Sequence, residues 1–242
     1  MKKRLDSVTL LGIDCVNLER LKIAMEICQK NFQFAAVKIL TSLPSNDFEN
    51  IIKIEPIKST EEYSRFCIEK LDEYVDTPHV LIVQYDGFIL NPKAWSDQFL
   101  KYDYIGAPWL VADWSIKNFD FPPELLGQWV VGNGGFTLRS KKLLSVIARL
   151  FRDNKFEKYD PEDAAICVYY RQLLEDNGIK FSPVAVAKKF CFEGQNLDNY
   201  VWDGQFGFHG LKWTDISNWS KENPGYKIDN PATIKSEVVK YL

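Results

Sequence analysis

The order of apolar and polar positions in the first third of the chain predicts strands that alternate with helices. Apolar positions recur at helical spacing from Leu18, and Asn17 stands before them as a suitable N-cap. Ser59 and Glu62 form a capping-box pattern in front of a second helix. Strands are predicted at 7–13, 34–40 and 51–57. Strands that alternate with helices are typical of an α/β fold with a mostly parallel central sheet and right-handed crossovers.

The central strand of this predicted sheet ends close to a carboxylate. Residues 80–83 are apolar without alternation, which is typical of a strand buried on both faces, and Asp86 follows them. Ligands of open α/β sheets bind outside the carboxyl ends of the strands, and this favours a chemical role for Asp86. Asp86 and Gly87 are also common turn residues, so a purely local role in a turn stays open.

The middle of the chain is rich in turn and aromatic residues. The composition of residues 91–128 predicts a long loop region with short helices, and loops of such length are commonly functional. A short strand within 129–140 is then broken by Gly132, Gly134 and Gly135. Glycines allow a backbone to pass close to a ligand, and a β-bulge or a tight hairpin is the structural alternative. Their spacing is not a nucleotide fingerprint of the Rossmann or Walker type.

Residues 159–178 form the best-marked predicted helix. Asp160 is its predicted N-cap and Pro161 its first position. Glu162 and Asp163 would then lie in the first turn, where acids complement the helix dipole. That dipole effect is a complete structural explanation for two acids at this place, so their presence alone does not indicate chemistry.

After this helix the pattern predicts a short strand over 179–187 and a loop-rich C-terminal region. His209 lies in that region between Gly207 and Gly210, which suggests an exposed loop. A lone histidine is more often structural than a ligand, so both roles stay open.

Composition narrows the class of protein. The 242 residues are 46% hydrophobic and 26% charged, which fits one globular domain over 1–242. The formal net charge of −3 offers no basic field, so a nucleic-acid partner is disfavoured. Five cysteines without a CxxC pair argue against a disulfide framework and against a zinc site, and we expect a cytoplasmic location.

The sequence has no membrane-spanning signal. No apolar run approaches the roughly 20 residues of a transmembrane helix, and the N-terminus is a poor signal peptide. Peripheral association with a membrane stays open. Aromatic residues make up 14% of the chain, including seven tryptophans, and such side chains suit sugar faces as well as a protein core.

Four elements occur in a characteristic order: an acid after a central strand, a glycine-rich strand, an acidic pair at the start of a helix, and a late histidine. In this order they resemble the GT-A glycosyltransferases. More specifically, an uncharacterised glycosyltransferase-like family found with bacterial polysaccharide genes is similar over roughly 10–211, in the strings "QYDGFILNP", "YDYIGAPW", "VGNGGFTLRS", "PEDAAIC" and "FGFHG". The resemblance implies a GT-A-like, Rossmann-like fold, with a nucleotide-sugar half over about 7–128 and an acceptor half over 129–242.

The resemblance also implies roles for individual residues. Asp86 matches the DxD carboxylate, Gly134 and Gly135 the glycine loop, Asp163 the base of the xED motif with Glu162 beside it, and His209 the C-terminal metal ligand. It places the nucleotide base near Asp14. Only one of the two DxD acids is present here, because Gln84 stands at the first acidic position. The implied divalent cation, Mn²⁺ or Mg²⁺, therefore stays in question.

The chemistry of sugar transfer gives each group a task. Negative charge grows on the leaving diphosphate, and a cation held by Asp86 and His209, or a side chain such as Arg139, would meet it. The acceptor hydroxyl must lose a proton, and Asp163, which we expect the helix N-terminus to keep ionised, is the candidate base. Candidates for stacking against the acceptor sugar are Trp109 and Trp202.

We therefore predict an inverting glycosyltransferase that uses a nucleotide-sugar donor and a glycan or lipid-linked glycan acceptor. One alternative is a non-catalytic sugar- or nucleotide-sugar-binding protein with the same fold. A glycoside hydrolase would need two carboxylates about 5 to 10 Å apart across one bond. Glu162 and Asp163 are adjacent and point in different directions from a helix, which argues against that activity.

Overall fold

The protein is described by a computed structural model over residues 2–45, 50–194, 200–226 and 228. Its strands are β1 (Lys3–Ile13), β2 (Phe32–Thr41), β3 (Ile51–Lys53), β4 (His79–Val83), β5 (Tyr104–Ile105), β6 (Pro108–Leu110), β7 (Trp129–Val131), β8 (Phe136–Ser140), β9 (Cys191–Phe192) and β10 (Gly207–Phe208). Its helices are α1 (Leu18–Gln29), α2 (Thr60–Glu69), α3 (Asp113–Phe119), α4 (Lys141–Arg152), α5 (Glu162–Ala164), α6 (Arg171–Asp176), α7 (Val184–Phe190) and α8 (Ser217–Glu222). Short 3₁₀ turns lie at Leu71–Tyr74, Pro92–Ala94, Asp97–Lys101 and Pro123–Leu125.

A mixed sheet forms the centre of the fold. Over the described ranges it has six strands in the order β3-β2-β1-β4-β8-β5. The first four run parallel, whereas β8 is antiparallel to β4 and β5 is antiparallel to β8. This confirms the predicted α/β class with a mostly parallel sheet flanked by helices.

The strand β4 lies in the interior, as its unbroken apolar run predicts. Residues 80–83 are fully buried, and β4 pairs with β1 on one side and β8 on the other. Because β8 runs antiparallel, its first residue, Phe136, pairs with the last residue of β4, Val83. The segment that enters β8 therefore meets the turn that leaves β4, at the edge of the sheet where chemistry was predicted.

A second small ladder attaches the C-terminal segment to this edge. β9 and β10 pair in parallel, and Gly207 also forms a bridge with Ile89. The aromatic side chains beside these strands anchor the ladder, because Phe206 and Phe208 are fully buried. The next residue, His209, donates its backbone N–H to Phe192 O at 2.9 Å. The late histidine is thus held against the sheet edge and not in a free loop.

The helix start predicted from Asp160 and Pro161 is wrong. The Asp160–Pro161 peptide is cis, Pro161 has extended backbone angles, and helix α5 begins only at Glu162. Asp160 does not cap the helix, because its carboxylate accepts a hydrogen bond from Ser64 Oγ at 2.8 Å. A π-helical turn, Ala165–Tyr169, then separates α5 from α6. Such turns inside helices frequently lie at functional sites.

The strand predicted over 179–187 is also wrong. Helix α7 begins at Val184 after Pro183, which has no N–H to donate to a sheet. Ala187 and Phe190 are both fully buried and lie three residues apart, so the segment buries one helical face. Phe181 alone makes an isolated bridge, to Tyr104.

The expected loop region over 91–128 is confirmed, since it contains short strands, 3₁₀ turns and helix α3. The loop-rich C-terminal region is described to residue 226 and at 228, and the rest of that prediction lies outside the described residues. None of the helices within the described ranges has the length and apolar character needed to cross a lipid bilayer.

Candidate functional site

The turn after β4 presents Asp86 at the sheet edge. Gln84 and Gly87 exchange backbone hydrogen bonds at 3.2 and 3.1 Å, and this closes the turn. Asp86 accepts a bond from Gly210 N through its backbone oxygen at 2.8 Å. Its carboxylate oxygen Oδ1 is buried, and no hydrogen-bond donor reaches it from the described residues. Asp86 therefore has the local turn role and, in addition, an unsatisfied carboxylate oxygen.

His209 lies directly against this turn. Its Nε2 is 3.7 Å from Asp86 Oδ1 and 3.3 Å from Gln84 Oε1. Its Nδ1 is 3.0 Å from the carboxylate of Glu193. Burial disfavours the imidazolium, but the carboxylates of Asp86 and Glu193 outweigh it and raise the pKa of His209 to about 9. The structure thus brings together the two residues that the resemblance pairs.

Glu193 connects three parts of the site. Its buried carboxylate accepts hydrogen bonds from Trp109 Nε1 at 2.6 Å and from Asn133 Nδ2 at 3.0 Å, besides its contact with His209. Burial acts to raise its pKa, but these three partners hold the pKa of Glu193 below its usual value. The sequence analysis did not identify this residue, because a single Glu between Phe192 and Gly194 carries no pattern.

The glycine segment before β8 is shaped by the side chains around it. Asn133 has φ of 72°, and its Oδ1 accepts the backbone N–H of Gly135 and of Phe136 at 2.8 and 3.0 Å. A Cβ on Gly134 would overlap the carboxylate of Glu162, and a Cβ on Gly135 would overlap His209 Nε2. These glycines therefore make space for the protein's own functional groups, whereas we expected space for a ligand.

Asp163 lies beside the glycine segment. Its Oδ2 accepts the N–H of Gly134 at 2.9 Å, and its Oδ1 accepts that of Ala164 at 2.8 Å. Burial, together with the negative charges of Glu162 and Glu193, raises the pKa of Asp163 to about 7. The expectation that the helix N-terminus keeps Asp163 ionised is wrong. Burial and the neighbouring carboxylates have a larger effect on its pKa than the dipole of the three-residue helix α5.

Glu162 and Arg139 form a buried ion pair behind the site. Arg139 Nη2 is 2.7 Å from Glu162 Oε1, and the two side chains are 0% and 5% exposed. The predicted roles of Arg139 in donor binding and of Glu162 in catalysis do not agree with this position, because neither charge is accessible to a substrate. Each neutralises the other, and the pair supports the segment that carries Asp163.

Two cavities flank the His209–Gln84 contact. The first, which we call the Asp163 cavity, has a volume of about 280 Å³. Asp163 and His209 line it together with aromatic residues, of which Trp109 was predicted. The other aromatic lining residues are Trp114, Phe119, Phe121 and Trp213. Trp202 is not in this wall, and its Nε1 instead donates to Gln205 O at 3.2 Å.

The second, the Asp14 cavity, has a volume of about 340 Å³ and includes Gln84 in its wall. Asp14 accepts backbone N–H groups of Val16 and Asn17 through Oδ1 and the Nε of Arg20 through Oδ2. The guanidinium of Arg20 lies 3.7 Å from the ring centre of Tyr85. Asp14 therefore orders the loop after β1 and holds a cationic, aromatic wall beside the sheet edge.

The residues present can be compared with the needs of a divalent cation. Asp86 Oδ1 has no hydrogen-bond donor and faces His209 Nε2, while Glu193 holds the opposite ring nitrogen, an arrangement that orients metal-bound histidines. Over the described ranges, no three His, Cys, Asp or Glu side chains converge on one metal position. The pair fits a cation that takes its remaining ligands from phosphate oxygens and water.

Three solved structures show similarity to this chain to different degrees. The galactosyltransferase LgtC, in complex with donor and acceptor sugar analogues, superposes with a TM-score of 0.53 at 13% identity, over 91% of this chain and 96% of that chain. The apo-form glycosyltransferase GlyE of Streptococcus pneumoniae TIGR4 gives 0.44 at 11% identity, over 100% and 64%. Glucosyl-3-phosphoglycerate synthase of Mycobacterium tuberculosis, with Mn²⁺ and UDP-glucose, gives 0.36 at 11%, over 65% and 67%.

The fold is GT-A-like, as in LgtC, and the strand-end acid, the glycine segment and the late histidine are gathered at one edge of the sheet. The chain belongs to the family described as "Protein of unknown function (DUF5672)", whose model matches residues 48–209. No curated protein sequence matches the chain.

Proposed function

We propose that the protein is a glycosyltransferase that moves a sugar from a nucleotide-diphosphate sugar to a glycan or lipid-linked glycan acceptor, with inversion at the anomeric carbon. The observation that carries this proposal is the Asp163 cavity, in which an aromatic wall surrounds a carboxylate whose pKa is about 7. His209 also lines that cavity and contacts Gln84, which lines the Asp14 cavity. Donor and acceptor would meet at this contact.

The Asp14 cavity is the proposed site of the nucleotide. Arg20 and Tyr85 form a stacked pair at its wall, and such a pair provides a flat surface for a nucleobase and positive charge for a phosphate. Asp14 fixes Arg20 by a 3.0 Å ion pair and is itself only 8% exposed. Its role would therefore be to hold this wall, through Arg20, more than to touch the base.

Asp86 and His209 are the proposed ligands of Mn²⁺ or Mg²⁺, in agreement with the buried, unpaired Asp86 Oδ1. A cation bound there would stabilise the negative charge that develops on the leaving diphosphate. Ligation needs His209 without its Nε2 proton, and the raised pKa of about 9 means that metal affinity should increase with pH up to that value.

Asp163 is the proposed general base. A base is most effective when its pKa is near the working pH, because it is then ionised yet still basic enough to take a proton. The N–H groups of Gly134 and Ala164 orient its two oxygens. Trp109, Trp114 and Trp213 would place an acceptor sugar against it through their apolar faces.

The relation between the two predicted halves of the chain, and the location of the protein in the cell, also belong to this proposal. Trp109, Trp114 and Phe121 come from the predicted nucleotide-sugar half, 7–128, yet they line the Asp163 cavity. We therefore propose one domain whose two halves share the acceptor site. A role in polysaccharide biosynthesis, in the cytoplasm or at the membrane surface, would follow from a lipid-linked acceptor.

The experiment is a screen of nucleotide sugars with and without Mn²⁺, which measures donor hydrolysis and transfer to glycan acceptors. Asp163→Asn should bind donor and fail to transfer. Asp113→Asn is the matched control, because Asp113 is an exposed carboxylate on α3, beside the same cavity wall. If nucleotides bind but no donor is hydrolysed or transferred, the non-catalytic binding protein is the better description.

A further inference from the structure

A third cavity lies apart from the proposed active site. It has a volume of about 640 Å³, inside the range of about 300–1,000 Å³ typical of small-molecule sites. Strand β7, the preceding 3₁₀ turn, the π-helical turn, helix α6 and residues 182–184 form its wall, and we call it the β7 cavity. It shares no lining residue with the Asp163 cavity or the Asp14 cavity.

The wall of the β7 cavity combines apolar and polar surfaces. Its apolar part includes Leu125, Trp129, Val130 and Val184. Its polar part consists of Glu124, Arg171, Gln172, Glu175 and Ser182. A lipid or another purely apolar ligand would leave the buried hydroxyl of Ser182 without a partner, and this is unfavourable.

The charges in and beside this wall balance. Arg171 Nε is 3.1 Å from Glu175 Oε1, so its charge is already paired. Glu124 contributes a second carboxylate to the wall, and the ammonium of Lys188, beside the wall, lies 4.0 Å from the ring centre of Trp129. A wall with one cation, already paired, and two carboxylates does not attract a phosphate or a nucleotide.

One group in the wall lacks a partner. Ser182 is 2% exposed, and no hydrogen-bond partner for its Oγ is found among the described residues. A buried hydroxyl left without a partner is unfavourable, so such groups are usually satisfied by water or by a ligand. A hydroxyl-bearing ligand in the β7 cavity would satisfy it.

We propose that the β7 cavity binds a neutral oligosaccharide. Sugar hydroxyls can pair with the Ser182 hydroxyl, and they also donate to carboxylates and accept from guanidinium and amide groups, so one ligand type suits the whole polar part of the wall. The C–H faces of the sugar rings match the apolar part of the wall. The proposal concerns binding alone and does not depend on the transfer reaction.

A small hydrophobic cluster links this cavity to the Asp163 cavity. Leu125, Val130 and Val168 line the β7 cavity and pack in the same cluster as Phe121 and Ala164, which line the Asp163 cavity. The two cavities therefore lie on either side of one apolar cluster.

The test is a titration of the full chain with neutral tri- to hexasaccharides of glucose, galactose and N-acetylglucosamine, followed by calorimetry and by tryptophan fluorescence. Ser182→Ala removes the unpartnered hydroxyl, so it should leave unfolding unchanged or slightly improved and weaken binding about two- to tenfold. Ser220→Ala is the matched control, because Ser220 Oγ is also buried without a partner and lies on α8. It should leave the affinity unchanged.

Trp114→Ala, in the wall of the Asp163 cavity, separates this site from the acceptor site and should retain the binding. The proposal is overturned if no oligosaccharide binds at millimolar concentration, if Ser182→Ala binds as tightly as the unaltered chain, or if Trp114→Ala abolishes the binding. A missing transferase activity, by contrast, would not affect any of these measurements.

Discussion

Glu193 accepts a hydrogen bond from Nδ1 of His209 at 3.0 Å, and this contact determines which ring nitrogen faces Asp86. The lowered pKa of Glu193 keeps it ionised, and an ionised carboxylate can only accept. His209 must then carry a proton on Nδ1. Its Nε2 is the nitrogen available to a cation or to a phosphate at the sheet edge.

Glu193→Gln should reverse this arrangement. The amide oxygen can still accept from Trp109 and Asn133, but the amide nitrogen then donates to Nδ1 of His209 and moves the ring proton to Nε2. We expect the pKa of His209 to fall and Mn²⁺ affinity to decrease about 10- to 100-fold. Ring ¹⁵N shifts measure both tautomer and pKa, and the chain has only one other histidine, His79, as an internal reference. Unchanged His209 shifts would contradict the proposed role of Glu193.

Asp163→Asn should lower kcat about 10²- to 10⁴-fold, because an amide cannot take the acceptor proton. In the unaltered protein kcat/KM should rise with pH and level off above about 7, where Asp163 becomes ionised. The measurement is a pH–rate profile with saturating metal. A profile that is flat from pH 5 to 8, or a product that keeps the anomeric configuration of the donor, would remove Asp163 as the base.

The same residue should give a pH-dependent stability. The pKa of Asp163 is raised from 3.8 in the unfolded chain to about 7 in the folded protein, so folding favours its protonated form. Its contribution to the free energy of unfolding is present below about pH 4 and is lost as the pH rises through 7. Urea unfolding at several pH values should show this loss, and Asp163→Asn should not. Equal pH dependence in both proteins would show that burial does not perturb Asp163.

Glu162→Gln should destabilise the protein by about 3–5 kcal/mol, since it leaves the buried charge of Arg139 without its partner. Arg139→Met combined with Glu162→Leu should recover much of the loss, because no buried charge then remains. Urea unfolding measures both variants. A single variant as stable as the unaltered chain would show that the pair is dispensable.

Gly135→Ala should disturb His209 without an effect on the sheet pairing, because its Cβ would overlap the imidazole Nε2. We expect weaker Mn²⁺-dependent nucleotide binding, measured by calorimetry. Gly225→Ala is the control, since no atom lies within 4 Å of the Cβ that it would add. If both variants bind the nucleotide equally well, His209 does not take part in donor binding.

The sheet was predictable because its signals are local. The unbroken apolar run of residues 80–83 indicates a strand buried on both faces, and that pattern needs no distant partner to be recognised. The pairing of Asp86 with His209 came from the resemblance, since neither residue carries a periodic signal. The antiparallel direction of β8 had no local signal either.

The errors have a common physical origin in tertiary contacts. The carboxylate of Asp160 accepts a hydrogen bond from Ser64 Oγ and does not cap the helix. The capping rule considers only neighbouring residues, so it failed here. Arg139 appeared to be a cation free for catalysis, yet burial beside Glu162 removes it from solvent. Glu193 was missed for the same reason, because its three donors come from distant positions in the sequence.

The segment that contains Phe206, Phe208 and His209 links closure of the hydrophobic core to assembly of the candidate site. Phe206 contacts the rings of Phe32 and Phe136, on two strands of the central sheet, and its departure would open the core. The next aromatic, Phe208, is fully buried and immediately precedes the histidine. A ribosome makes this segment long after the sheet strands, so a prematurely ended chain lacks both core closure and His209. Closure of the core and assembly of the site are therefore completed by the same late segment of the chain.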